Sequence, residues 1–309
     1  MSPFGRVSLF TIAFAAVLGV LAPSAAATAP LSQQDVPAGV NDPRCALSAA
    51  HPDPVVLVHG SATDVQGSFA VMAPVIEQAG FCVFAANIGR APVPADIASG
   101  RAGIPGLNAI EAALTGRTVH GMAEIPAMAD ELTSVIRMVR EATGARRVAL
   151  VGHSTGGTVI RQYLRSNGGD AVSTVVTLGT PYRGSTWNGL RAAYPELAKI
   201  GLDNAQIATQ VFGAPGRQQL PDASLLHALN AFGETVPGVR YTAIASRYDE
   251  VITPTDTALL GATGDGNRNI WLQDGCPSDS AGHSQLLVDP RSLALVLQAL
   301  GEQGRILPC

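Results

Sequence analysis

The chain has 309 residues, of which 47% are hydrophobic and 14% are charged. An average globular domain has roughly 25% charged residues, and this apolar composition excludes a disordered, coiled-coil or collagen-like chain. The formal net charge is −4 and no basic run is present, so a nucleic-acid partner is not expected.

The N-terminal segment has the composition of an export signal. Arg6 is its only charged residue, an apolar run follows from Val7 to Ala22, and small residues come next. This order is typical of a secretory signal peptide, and the run is shorter than the roughly 20 residues that span a bilayer. We therefore expect residues 1–29 to be a signal peptide and residues 30–309 to form a single secreted, extracellular domain without a stable membrane anchor.

Strand and helix patterns alternate along the rest of the chain. Short apolar runs predict six strands, at 55–58, 81–86, 148–151, 172–178, 239–245 and 269–272. Helical patterns predict helices at 69–78, 107–114, 126–143, 155–164 and 293–300. Strands separated by helices indicate an α/β protein with a mostly parallel, doubly wound sheet. Residues 183–238 fit this alternation poorly, and we interpret them as an insertion over the sheet.

The four cysteines are Cys45, Cys82, Cys276 and Cys309, and none belongs to a C-x-x-C pair. An even count in an exported protein indicates two disulfides, with three possible connectivities. We favour Cys45–Cys82, which joins neighbouring predicted strands, and Cys276–Cys309, which would hold a chain end that otherwise frays. Buried free thiols are the alternative.

A G-x-S-x-G motif, Gly152-His153-Ser154-Thr155-Gly156, directly follows the third predicted strand and opens a predicted helix. In this context the motif predicts a nucleophile elbow, where a serine lies on a strained turn between strand and helix. The helix N-terminus behind Ser154 also favours developing negative charge. An ordinary glycine-rich strand–helix turn is the alternative.

A nucleophilic serine requires a base, and in this fold the chain order is nucleophile, acid, histidine. Only His227 and His283 follow Ser154, and His227 has no acid at a strand end before it. We therefore predict that His283 is the base and that Asp249, just after the fifth strand, orients its imidazole. Other candidates for the acid are Glu250, Asp256 and Asp265.

A developing oxyanion requires backbone N–H donors. We predict that one comes from Thr155, directly after the nucleophile, and the other from Ser61, in the loop after the first strand. The Ser61 hydroxyl is a candidate third donor.

Taken together, these motifs resemble the secreted bacterial triacylglycerol lipases and esterases of the α/β-hydrolase superfamily, of the actinobacterial kind. The resemblance covers roughly residues 45–300, and its motifs are VVLVHG at 55–60, GFCVF at 80–84, GHSTGG at 152–157, LGTP at 178–181, YDEVITP at 248–254 and GH at 282–283. It implies an α/β-hydrolase fold and hydrolysis of acyl esters or lipids, including those at a lipid–water interface. It further implies an acyl-enzyme route and no cofactor.

Two departures leave the acyl-chain preference open. Thr155 stands where such enzymes often carry glutamine, and residues 91–121 are longer than usual. The apolar insertion at 183–238 is either an acyl pocket or lid, or ordinary helical core. Residues 264–267 carry too few acidic groups to predict a metal site.

Other function classes stay open at this point. One is a cutinase-like polyesterase or an acyltransferase acting on envelope lipids, and another is a non-catalytic relative that binds lipid.

Overall fold

The computed structural model describes residues 31–33, 35–92, 118–264 and 266–309. The predicted signal peptide at 1–29, the helix expected at 107–114 and the candidate acid Asp265 lie outside the described residues.

A parallel sheet forms the centre of the described chain. Its strands are β1 (Val55–Val58), β2 (Val83–Ala85), β5 (Val148–His153), β6 (Val172–Leu178), β7 (Arg240–Ala245) and β8 (Arg268–Trp271). Neighbouring strands pair in the order β2-β1-β5-β6-β7-β8. The sequence prediction of a mostly parallel α/β sheet is confirmed. A small antiparallel pair, β3 (Ala91–Pro92) with β4 (Thr118–Val119), was not predicted.

Burial on both faces explains why the central strands are continuous apolar runs rather than alternating ones. In β1, Val56 and Val58 pack into one hydrophobic cluster, while Val55 and Leu57 pack into a second. Successive side chains point to opposite faces, so the two clusters lie on the two sides of the sheet. Helices must cover both sides, as the doubly wound pattern predicts.

The helices outside the insertion are α1 (Val65–Phe69), α2 (Met72–Gln78), α3 (Ile125–Thr143), α4 (Thr155–Asn167) and α10 (Pro290–Leu300). Three of the predicted helix ranges were wrong, and one of them, expected at 155–164, continues to Asn167. The helix expected at 69–78 is a pair of short helices, the first of which starts where the Asp64 side chain accepts from Gly67 N–H. The last helix starts at Pro290 rather than 293, because Asp289 caps it by accepting from Ser292 N–H at 2.7 Å.

The insertion at 183–238 consists of short helices. They are α5 (Leu190–Ala193), α6 (Pro195–Lys199), α7 (Asn204–Phe212), α8 (Ala214–Gln218) and α9 (Ser224–Asn230). Trp187 is buried at its centre and donates its indole N–H to the Gly216 carbonyl at 2.9 Å. Most of the apolar side chains here are core, whereas Ile200 is 62% exposed. The core interpretation therefore describes most of this segment.

All four cysteines are paired, as Cys45–Cys82 and Cys276–Cys309. This is the connectivity that the sequence analysis favours. Among the described residues, no helix is long and apolar enough to cross a membrane.

Candidate active site

Ser154 occupies a strained turn between β5 and α4. Its φ of 54° and ψ of −127° place a non-glycine residue in the left-handed half of the backbone map. Such conformations cost on the order of 1–3 kcal/mol and persist only where the surrounding structure enforces them. Here the Ser154 N–H donates to the Leu178 carbonyl of β6 at 2.8 Å, which holds the turn against the sheet.

Close backbone packing around the turn explains the glycines of the motif. A Cβ added to Gly156 would lie 2.1 Å from the Val58 carbonyl oxygen, and one added to Gly152 would lie 2.7 Å from the Gly157 nitrogen. Neither contact is possible without moving backbone. The glycines therefore let α4 begin directly against the end of β1, as the elbow prediction requires.

The structure places Asp249 and His283 in direct contact. Asp249 follows β7, His283 follows β8, and the Asp249 Oδ2 to His283 Nδ1 distance is 2.8 Å. Both residues are buried. Because an ionised carboxylate only accepts, Nδ1 carries the proton in the neutral ring and Nε2 is left as the acceptor. A base with this tautomer can take a proton from a serine hydroxyl.

The other carboxylate oxygen of Asp249 binds backbone. Its Oδ1 accepts from Val251 N–H at 2.9 Å and from Ile252 N–H at 2.7 Å. These bonds fix the carboxylate plane and direct Oδ2 toward His283.

Glu250 makes a contact that sequence reasoning missed. Its Oε2 accepts from the His283 backbone N–H at 3.1 Å, so it holds the histidine loop rather than the imidazole. Two other sequence candidates lie away from this cluster. Asp256 pairs with Arg183 at 3.5 Å, and His227 is in the last turn of α9.

The pKa values of His283 and His153 are shifted in opposite directions. Burial disfavours the charged form of His283, but the Asp249 charge, its hydrogen bond and Glu250 together raise the pKa of His283 above its ordinary value. For His153, burial first and the neighbouring His283 second lower the pKa to about 3. The ring centroids lie 4.7 Å apart, and His153 Nε2–H donates to the His283 carbonyl at 3.1 Å. His153 therefore stays neutral and supports the His283 loop.

The predicted oxyanion donors lie beside the serine. Thr155 begins α4, so its amide is among the four N–H groups without an intrahelical acceptor. On the other side, Gly60 lies against Ser154, since a Cβ added to Gly60 would be 3.1 Å from Ser154 Cβ. Ser61 follows it, and the Ser61 and Thr155 hydroxyl oxygens are 2.8 Å apart.

His59 shapes the Ser61 loop. It is buried, and burial lowers its pKa to about 4, so the ring is neutral near pH 7. Its Nε2 accepts from Ile88 N–H at 3.1 Å, which leaves Nδ1–H to donate to the Gly60 carbonyl at 2.9 Å. This bond holds the Gly60 carbonyl, and with it the peptide that carries the Ser61 amide.

One cleft of about 370 Å³ contains Ser154, His283, Ser61 and Glu250. Its lining is mixed. Hydroxyl groups come from Thr63, Ser68 and Ser284, and apolar surface comes from Leu190, Tyr194, Phe212, Val251, Leu287 and Val288. The insertion thus contributes part of the cleft even though most of its apolar residues are core. Within the described chain, no group of three or more His, Cys, Asp or Glu side chains is placed to hold a metal ion.

Comparison with known families agrees with the fold and the elbow. The family model described as alpha/beta hydrolase fold matches residues 53–225. This chain belongs to the α/β-hydrolase fold family. The matched range contains Ser154 but ends before Asp249 and His283.

Among curated relatives, a triacylglycerol lipase of Pseudarthrobacter phenanthrenivorans is 36% identical over 162 residues, which cover 52% of this chain and 45% of the relative. A triacylglycerol lipase of Burkholderia plantarii is 30% identical over 162 residues, covering 52% of this chain and 40% of the relative. The alignments span less than half the length of either relative.

Solved structures support the fold. Aspergillus fumigatus lipase B superposes with a TM-score of 0.58 at 17% identity, covering 80% of this chain and 52% of that protein. The mature lipase BlEst2 of Bacillus licheniformis gives 0.54 at 16% identity, covering 82% and 94%.

Proposed function

We propose that this protein is a secreted carboxylic ester hydrolase, a lipase or esterase, with the triad Ser154, His283 and Asp249. The observation that carries the proposal is the buried 2.8 Å contact between Asp249 and His283, in the cleft that also contains the elbow serine. This arrangement satisfies the rule that a nucleophile needs a base and that the base needs an orienting group.

In the proposed reaction, His283 Nε2 takes the Ser154 hydroxyl proton as Oγ attacks the ester carbonyl carbon. The carbonyl oxygen becomes an oxyanion, which the Thr155 and Ser61 amides stabilise. His283 gives its proton to the departing alcohol, leaving an acyl-enzyme. Water then repeats the sequence and releases the acid.

The substrate class is proposed to be acyl esters or lipids. A cleft of about 370 Å³ is within the range of small-molecule sites. Its apolar side chains suit an acyl chain, and the two curated relatives are named triacylglycerol lipases.

The decisive experiment combines labelling with an ester panel. Purified protein should react with a fluorophosphonate probe and cleave p-nitrophenyl esters, while Ser154→Ala should lose both properties. Ser166→Ala, on the exposed end of the same helix, is the matched control and should keep both. Absence of labelling and of cleavage in the wild type would leave a lipid-binding role instead.

The panel also separates the hydrolase from its alternatives. Varying acyl length defines the chain preference, and solid polyester tests for a polyesterase. Adding an alcohol acceptor tests for acyl transfer, which would appear as a new ester instead of free acid.

Export is a further part of the proposal. We propose that residues 1–29 are a cleaved signal peptide and that residues 30–309 form the single secreted domain. The two disulfides support an oxidising compartment. Expression of the whole chain in a secreting host, followed by N-terminal sequencing of protein from the medium, tests this. Uncleaved protein retained in cells would contradict it.

A further inference from the structure

Gln219 connects the insertion to the oxyanion site. It is fully buried and follows directly after α8. Its Nε2 lies 2.8 Å from Thr155 Oγ1 and 3.2 Å from the Pro215 carbonyl, and its Oε1 lies 2.7 Å from Thr158 Oγ1. Gln219 and Thr155 are 64 positions apart in the chain, and Thr155 directly follows the proposed nucleophile. This contact calls for an explanation beyond packing.

These partners fix which way the amide faces. The Pro215 carbonyl can only accept, so the atom facing it must be the nitrogen. Both Nε2 protons are then used, one on Pro215 and one on Thr155 Oγ1. The Thr158 hydroxyl must donate to Oε1, because a carbonyl oxygen has no proton to give.

The amide in turn decides the direction of the next bond. Thr155 is buried, and its oxygen already accepts from Gln219. Its own proton needs an acceptor, and the Ser61 oxygen is 2.8 Å away. The opposite direction would leave the Thr155 hydroxyl proton buried without an acceptor, which costs roughly 1–3 kcal/mol. Thr155 therefore donates to Ser61.

We propose that Gln219 is a positioning residue for the oxyanion site. It aligns a head-to-tail chain of donors from Thr158 through Gln219 and Thr155 to Ser61. At the end of this chain the Ser61 hydroxyl proton is free to be donated into the cleft, to the oxyanion formed on the substrate. The inference rests on the proposed ester hydrolase function and extends it to a specific set of hydroxyl protons.

The direction of the chain matters because each bond polarises the next. A hydroxyl that accepts a hydrogen bond becomes a better donor, so a uniform direction strengthens the last donor. Without Gln219, the Thr155 oxygen accepts no hydrogen bond from the insertion, so the Thr155 hydroxyl is a weaker donor and is free to rotate away from Ser61. The Ser61 proton would then no longer be held toward the oxyanion.

A double-mutant cycle on Ser61 and Gln219 tests the proposed hydrogen-bond chain. Ser61→Ala should lower kcat by about 10²-fold with little change in KM, the loss typical of one oxyanion donor. Gln219→Met should lower kcat about 10-fold, since the hydroxyl remains but loses its orientation. The double variant should be no slower than Ser61→Ala, because without the hydroxyl there is nothing left for Gln219 to orient.

Controls separate positioning from general damage. Gln218→Met, the neighbouring residue, removes the acceptor of Ile125 N–H and should change the melting temperature but not kcat. Ser61→Thr keeps a hydroxyl and should retain most of the activity. If Gln219→Met does not fold, Thr158→Val removes the first donor of the chain with little change in volume, and the same lack of additivity is expected.

The outcomes are distinct. A wild type that neither labels nor cleaves esters overturns both the proposed function and this inference. If the wild type is active but the Ser61 and Gln219 effects multiply, the proposed hydrogen-bond chain is overturned while the ester hydrolase function stands. A Gln219→Met variant with unchanged kcat has the same consequence.

Discussion

The neighbouring carboxylates Asp249 and Glu250 act on different parts of the same residue. Asp249 contacts the His283 imidazole, and Glu250 contacts the His283 backbone N–H. The first contact sets which ring nitrogen carries the proton, and the second sets where the ring is. Substitutions at the two sites should therefore have different signatures.

Asp249→Asn should lower kcat by about 10³- to 10⁴-fold, because an asparagine amide that donates to Nδ1 stabilises the wrong tautomer. The measurement is ester hydrolysis at saturating substrate, with the melting curve taken in parallel. Asp256→Asn, at an exposed ion pair with Arg183, is the matched control and should leave kcat unchanged. Loss of activity of equal size in both variants would argue against the assigned acid.

The pH profile tests the electrostatics of His283. The proposed base must be neutral to act, and Asp249 and Glu250 raise the pKa of His283 against the opposing effect of burial. Activity should therefore fall on the acid side with a midpoint above the ordinary histidine value of roughly 6.5. Glu250→Gln removes one charge but keeps an acceptor for the backbone N–H, so the midpoint should move to lower pH.

The plateau of kcat/KM at higher pH serves as the internal reference for that experiment. Glu141→Gln, on the exposed face of α3, is the remote control and should leave the midpoint in place. An acid limb that stays fixed or rises in Glu250→Gln would contradict the assigned charge effect.

At the scale of elements, the strand–turn–helix unit depends on how closely α4 approaches β1. Gly156→Ala places a methyl group 2.1 Å from the Val58 carbonyl oxygen, so backbone must move. The free energy of unfolding should fall by about 1–3 kcal/mol or more. Chemical denaturation monitored by fluorescence measures this.

Gly264→Ala is the reference for the same change. No heavy atom lies within 4 Å of the added Cβ at that site. Stability there should stay close to that of the wild type. Equal stability of the two variants would show that the elbow accommodates an added methyl group more easily than its geometry indicates.

At the scale of the whole molecule, the parallel sheet brings distant residues together. Ser154, Asp249 and His283 follow β5, β7 and β8, and the ends of parallel strands meet along one edge. The disulfide Cys276–Cys309 joins residues 33 positions apart, and the segment between them includes His283. Covalent closure should therefore stabilise the part of the chain that carries His283.

Replacing Cys276 and Cys309 together by serine should lower the free energy of unfolding by about 2–4 kcal/mol, the usual effect of opening such a loop. Thermal inactivation should also become faster. Differential scanning calorimetry and residual activity after heating measure the two effects. A double variant as stable as the oxidised wild type would show that the tail is held by packing alone.

Local sequence patterns were sufficient to predict the sheet strands, the elbow serine and the candidate acid and base. Most of the strands were recognised because they are apolar runs buried on both faces, whereas β8 is exposed or only partly buried. The elbow was recognised because its glycines are required by close packing. Asp249 and His283 were selected because strand order restricts where an acid and a base can lie. Helix boundaries were less accurate: the starts of α1 and α10 are set by caps at Asp64 and Asp289.

Contacts between distant segments were decided only by the tertiary structure. Apart from the motifs and chain order that pointed to Asp249 and His283, sequence patterns report the periodicity of one element and do not show which distant residues form hydrogen bonds. The Glu250 bond to the His283 backbone and the Gln219 bond to Thr155 span 33 and 64 positions. The amino-acid sequence by itself determined the sheet, the elbow serine and the candidate acid and base. The hydrogen bond that reaches Thr155 from the insertion was decided only by the tertiary structure, because it depends on how that segment packs beside α4.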